Sequence, residues 1–166
     1  AREAGLQIIG DYGLNILNSP AARQAAELGC GALTLSFECE RGAAKNIASP
    51  VPLGVIAYGH LPLMLLRNCP GKTAAGCGDC TGINRITDRR GEDFPLQCER
   101  RQYTHLLNPR PLLLCDRLPE WDFCDFLTLR FTVESPAECD EVLKMYRTGA
   151  APAGQFTRGL YYRTLK

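Results

Sequence analysis

Four cysteines, Cys69, Cys77, Cys80 and Cys98, fall within thirty residues of a polar stretch. It reads N-C-P-G-K-T-A-A-G-C-G-D-C from residue 68 and reaches Cys98 through T-D-R-R-G-E-D-F-P-L-Q-C. Almost no apolar periodicity runs through it, so packing does not explain these thiols. Clustered thiolates around a Cys-x-x-Cys step suit a soft metal ion or an iron–sulfur cluster. There is one such step with a single cysteine on either side, whereas a pair of steps would be the signature of zinc. Zinc and an iron–sulfur cluster both stay open on spacing, as do four free, half-buried thiols. Of the other five cysteines, Cys30, Cys115, Cys124 and Cys139 read as core residues, and Cys39 follows a strand end.

The elements that would position such a centre show a regular rhythm on either side of it. Leu6 to Gly10 is a short apolar run. Ser19-Pro20 then opens a helix as N-cap and first-turn proline, and Gly29 stops it. A strand over 32–36, a weaker helix over 38–48 and a strand over 51–58 follow. One helix between strands is the βαβ pattern of a parallel sheet, open or closed into a barrel. Residues 59–111 break the rhythm as a cysteine-rich insertion, with a hairpin from 84–88 through Arg89-Arg90-Gly91 into 94–97. From 112 to 166 the pattern returns with Leu112-Leu113-Leu114, a short helix at 119–121 and a strand at 128–132. Ser135-Pro136-Ala137-Glu138 is a capping box that opens a helix to Arg147, and a basic, aromatic tail follows.

In a parallel barrel, chemistry sits at the C-terminal strand ends. That brings forward Asp11, Tyr12 and Asn15 after the first strand, Ser36 and Glu38 after the second, and Tyr58 and His60 after the third. Asp11, Glu38, Tyr58 and His60 are the catalytic candidates, with His60 the best placed base. Arg67, Arg89 and Arg158, with Asn15, are candidates for holding a substrate carboxylate or phosphate. The competing reading makes all of these loop caps, rim hydrogen bonds and solvated ion pairs. No phosphate loop, Ser-His-Asp order or H-E-x-x-H helix is present.

A net charge of +1 over 166 residues gives no electrostatic footprint for nucleic acid, although short basic runs exist at 88–90 and 99–101. No apolar run approaches a membrane span, so no membrane partner is expected. Nine cysteines, an odd count, without a secretory signal point to reduced thiols in the cytoplasm. Arg2-Glu3-Ala4-Gly5 reads as a helix end with a glycine cap. The chain is therefore expected to be the C-terminal part of a longer polypeptide, whose N-terminal remainder is its first partner.

Several stretches together resemble the C-terminal half of the U32 peptidase family, the collagenase-like family. They are G-D-Y-G-L-N-I-L-N-S (10–19), L-T-L-S-F-E (33–38), V-I-A-Y-G-H-L-P-L-M (55–64), R-N-C-P (67–70), D-R-R-G-E-D-F-P-L (88–96), R-F-T-V-E-S (130–135) and F-T-R-G-L-Y-Y-R (156–163). The resemblance implies an α/β fold, the C-terminal half of a TIM-type β/α barrel carrying the cysteine-rich insertion. It implies either a collagenase-like peptidase acting on peptide or protein, or an oxygen-independent hydroxylation factor acting on RNA or a small aromatic ring. It also implies a [4Fe–4S] cluster on Cys69, Cys77, Cys80 and Cys98, the spacing leaving Cys98 the loosest match; a non-catalytic zinc staple is the alternative. Gly54 departs from the family, in which many relatives carry Glu at this point of the strand.

Overall fold

The computed structural model describes residues 4–72, 76–77, 80, 82–152 and 154–163. Two sheets organise these residues. The first holds β1 (Ile8–Gly10), β2 (Cys30–Thr34), β3 (Leu53–Gly59), β8 (Leu112–Leu113) and β9 (Phe126–Leu129). Strands β1, β2, β3 and β9 run parallel in that spatial order, and β8 joins antiparallel at the C-terminal end of β3. The expected parallel α/β sheet is present, and among the described residues it does not close into a barrel.

Strand β3 is central and buried along its whole length, as a parallel strand covered on both faces must be. Two tyrosine hydroxyls complete its ladder where partner strands do not. Tyr161 donates to the Ile56 carbonyl at 2.9 Å, in the stretch between the β2 and β8 pairings. Tyr146 donates to the Ala57 carbonyl at the irregularity in the β3–β9 register and accepts from the Leu114 N–H at 3.0 Å. The main core gathers Leu33, Leu35, Val55, Ile56, Leu112, Trp121 and Tyr161 around this strand.

Helix α1 (Ser19–Glu27) links β1 to β2, and α2 (Arg41–Ala44) lies between β2 and β3. The N-cap of α1 is Asn18, whose side chain accepts from the Ala21 N–H, one residue earlier than expected. Ser19 instead accepts from the Ala48 N–H at 2.9 Å and fastens the loop before β3. The weak helix expected over 38–48 shrinks to one turn, capped by Glu40. Helix α3 (Pro136–Thr148) has the expected capping box, with Ser135 and Glu138 bonded reciprocally, and ends at Gly149 in the left-handed region. Of the expected N-terminal helix end, Gly5 has φ +67 as a cap requires, whereas Arg2 and Glu3 lie outside the described residues.

The insertion is itself a sheet. Four antiparallel strands, β4 (Pro62–Leu66), β5 (Ile83–Thr87), β6 (Asp93–Glu99) and β7 (Tyr103–Leu107), lie in the order β4-β7-β6-β5. The β5–β6 hairpin matches expectation, its turn closed by the Asp88 carboxylate accepting from the N–H groups of Arg90 and Glu92. Strand β4 escapes a reading by alternation, because Leu63, Met64, Leu65 and Leu66 run consecutively. Three of these four leucine and methionine side chains, Leu63, Met64 and Leu65, are exposed along the sheet edge. No helix is long and apolar enough to cross a membrane among the described residues.

Candidate functional site

Pairing in the second sheet sorts its side chains onto two faces. Opposed residues share a face, so Asn84, Leu96 and Leu106 stand together, as do Cys98 and Thr104. Arg85 with Pro95, and Gln97 with His105, point the other way. On the first face, Cys69, Cys77, Cys80 and Cys98 line a single cavity of about 50 Å³, with Asn84, Leu96 and Thr104. Leu96 and Thr104 are each 1% exposed and form the buried floor of this cavity.

Local geometry explains how distant cysteines meet there. The N–H of Cys80 bonds the Cys77 carbonyl at 2.9 Å, which folds the Cys-x-x-Cys step into a turn. Gly76 and Gly82, at φ +91 and +87, bracket that turn in a region other residues resist. The Lys72 N–H bonds the Cys69 carbonyl at 3.1 Å and bends the chain just after Cys69. Cys98 comes from β6, and Arg101 reaches the cavity from the tight β6–β7 turn, where Arg100 and Arg101 sit at φ +49 and +62. The Cys80 Sγ accepts from the Gly82 N–H at 3.4 Å. None of the nine cysteines is in a disulfide. The four cysteines line this cavity, but among the described residues no three His, Cys, Asp or Glu groups are drawn together as a ready ligand set.

A second cavity of about 90 Å³ adjoins the first and adds Arg67, Asn68 and Lys72 to the surroundings of Cys69 and Cys98. Arg67 therefore belongs beside the cysteines. The donor set fits a thiolate-held group: four soft ligands, one sulfur already accepting a backbone N–H, and nearby cations.

The strand-end candidates do not gather into one site. Asp11 caps the short turn after β1, its carboxylate accepting from the Tyr12 N–H at 2.7 Å, and Asn15 closes that turn in the left-handed region. Glu38 is exposed and lines a different cavity, of about 320 Å³, with Phe37, Leu61, Asn108 and Arg163. His60 Nδ1 donates to the Asn108 carbonyl at 2.6 Å, which leaves Nε2 as the acceptor in the neutral ring. The Tyr58 hydroxyl is buried, and burial first, then the charge of Glu134, pushes its pKa well above the usual range. Arg89 lies exposed in the β5–β6 turn, away from the other candidates.

Arg158 is held by the protein itself. Its guanidinium makes a bidentate pair with Asp116, at 2.6 and 2.7 Å, and donates to the Leu113 carbonyl. The Arg158 bonds hold the Asp116 carboxyl below its usual pKa. A depressed carboxylate contributes its stability above the ordinary aspartate range and loses it as pH falls through the lowered value. Urea midpoints measured from neutral to acid pH are expected to converge for wild type and Asp116→Asn as acid is reached, with wild type the more stable at neutrality. Parallel pH profiles would remove the pair from the account.

Gly54 is also settled by packing. A Cβ placed there would stand 2.3 to 2.7 Å from the Phe126 ring, so a longer side chain has no room unless that ring moves. Residues that spacing did not bring forward are Arg130, Thr132, Glu134 and Gln97, each with a buried polar atom that makes no hydrogen bond of good geometry, although the Glu134 carboxylate lies against the Tyr58 hydroxyl. The available signal was an arginine closing a strand, followed by threonine and glutamate two and four residues on. No family model, no curated protein and no solved structure matches this chain.

Proposed function

We propose that this chain is a U32-type protein, of the collagenase-like peptidase family, whose cysteine-lined cavity holds an iron–sulfur cluster of the [4Fe–4S] kind. In this reading the parallel sheet is the C-terminal half of a TIM-type β/α barrel. The observation that carries it is the meeting of Cys69, Cys77, Cys80 and Cys98, from separate stretches of chain, around one cavity. The residues leave zinc, whose four sulfurs would stand about 2.3 Å from one centre, as open as a cluster, and the resemblance to the U32 family is what favours iron–sulfur. When bound, such a cluster supplies one-electron chemistry.

The chain's own residues have defined parts in this reading. The four cysteines ligate as thiolates, and the Gly82 N–H stabilises negative charge on the Cys80 sulfur. Arg67, Lys72 and Arg101 offset the charge of a thiolate-bound group. Leu96 and Thr104 exclude water from beneath. Nine unpaired thiols also suit the reducing interior of a cell, so a cytoplasmic location belongs to the same proposal.

Between the family's activities, the residues favour a cluster-dependent hydroxylation factor, acting on RNA or a small aromatic ring, over a peptidase. Four soft ligands serve electron chemistry and contribute nothing to hydrolysing a peptide. The peptidase reading has one observation behind it: Glu38 lines the 320 Å³ cavity together with Asn108, whose carbonyl orients His60.

Anaerobic purification followed by iron, sulfide and zinc analysis tests the proposal. Iron and sulfide in equal amounts, lost in Cys77→Ser and Cys98→Ser, are expected. Zinc in their place would sink the iron–sulfur reading and leave a structural staple. Cleavage of gelatin that disappears in Glu38→Gln and His60→Ala would establish the peptidase.

A further inference from the structure

The cavity of about 320 Å³ lies where the C-terminal ends of β2 and β3 meet the insertion sheet. Glu38 comes from the loop after β2, Leu61 and Leu63 from the passage of β3 into β4, and Asn108 from the end of β7. Thr157, Leu160 and Arg163 close it from the tail. Asn108 donates its backbone N–H to the Leu61 carbonyl at 2.8 Å, which fastens this rim together. Ligands of parallel α/β sheets bind outside such strand ends. The volume lies near the lower end of the range for small-molecule pockets, about 300–1,000 Å³.

Four polar side chains of the lining have bonding capacity left over. Glu38 and Arg163 are exposed and oppositely charged, yet among the described residues no ion pair joins them to each other or to any other group. Thr157 is fixed through its backbone, its N–H donating to the Pro111 carbonyl at 2.9 Å and its carbonyl accepting from the Leu113 N–H at 3.1 Å. The Thr157 Oγ1 accepts from the Gly159 N–H at 3.0 Å, which leaves the hydroxyl hydrogen to donate. The Asn108 Oδ1 accepts from the Arg110 N–H at 3.3 Å, so the amide nitrogen keeps its two donors. Between these groups the wall is leucine, with Leu61 buried and Leu63 53% exposed.

We propose that this cavity binds a free apolar amino acid as its zwitterion. The Arg163 guanidinium matches the planar carboxylate, with the Thr157 hydroxyl and the Asn108 amide as further donors. The Glu38 carboxylate only accepts, so the group that answers it must donate, and an ammonium also answers its charge. The leucines receive the apolar side chain. A ligand bearing only one of the two charges would cover the other protein charge without pairing it, and a covered, unpaired charge is costly. The inference goes beyond the cysteine centre and does not depend on it, and it gives Glu38 a binding role that needs no peptide cleavage.

Calorimetric titration of this chain with L-leucine, isocaproate, L-leucinamide and L-alanine tests it. Isocaproate is leucine without the ammonium, and leucinamide is leucine without the carboxylate. Leucine is expected to saturate in the millimolar range or below, with the other three at least about tenfold weaker, a difference of about 1.4 kcal/mol. Arg163→Met should abolish leucine binding with unchanged circular dichroism, since the side chain is exposed and carries no partner in the fold. Glu38→Gln should bring leucine and isocaproate close to equal, and Leu63→Ser should bring leucine down to alanine. Absence of saturation by leucine, isocaproate or leucinamide binding as tightly as leucine, or leucine binding unchanged in Arg163→Met would each overturn the proposal.

Discussion

Gly59→Ala is expected to lower unfolding stability by about 2–6 kcal/mol, the largest effect of an added methyl among the described glycines. Two costs act together. Gly59 has φ +135, a region L side chains rarely adopt, which costs about 1–3 kcal/mol. Its added Cβ would also stand 2.3 Å from the Arg130 carbonyl oxygen, a backbone atom with no rotamer to escape into. Overpacking of that kind costs about 1–3 kcal/mol more. Gly54→Ala provides the comparison. It meets only the Phe126 ring, so its cost of about 1–3 kcal/mol should be largely rescued by Phe126→Leu, whereas no side-chain change should rescue Gly59→Ala. Urea unfolding of the three variants decides this; a Gly59→Ala protein within about 1 kcal/mol of wild type would contradict the described approach of β9 to β3.

Tyr146→Phe is expected to cost about 2–6 kcal/mol, from two buried backbone groups left open at about 1–3 kcal/mol each. Tyr161→Phe opens only the Ile56 carbonyl and should cost about half as much. Both rings keep their packing in the substitution, so the loss reports the hydroxyl. Desolvation pushes both phenol pKa values above the ordinary range. A raised phenol pKa contributes stability below the unfolded value, about 10, and loses it as pH rises through the folded one. Wild type should therefore lose its advantage over Tyr146→Phe in strong alkali. Equal stability of the two proteins at neutral pH would show that neither bond matters.

These two results bear on what spacing can reveal. The capping box at Ser135, the Asp88 turn and the β5–β6 hairpin were legible because each is fixed by residues within a few positions of one another. The α2 helix was overestimated because a single capped turn carries the same composition as a longer one. The edge strand β4 was missed because its apolar residues are consecutive and exposed, and no alternation marks them. The Asn18 cap shows a narrower failure: two adjacent residues could cap, and the loop at Ala48 claimed Ser19.

The site divides along the same line. Residue types and their spacing set the chemistry on offer, four soft ligands around a Cys-x-x-Cys step, since thiolate character belongs to the residue type. They also set the parallel α/β rhythm, which hydrophobic runs and helix caps encode locally. Only the tertiary structure decided that Cys98 joins the other three, because strand pairing across β5, β6 and β7 sets which face it shares. Only the tertiary structure separated Glu38 and Asp11, and tied Arg158 to Asp116, residues that spacing had grouped at one mouth. The same long-range packing sent Arg130 over the Tyr12 ring and Glu134, four residues on, back onto the Thr132 and Val133 N–H groups. Burial and partner choice depend on residues distant in the chain, and no local pattern carries them.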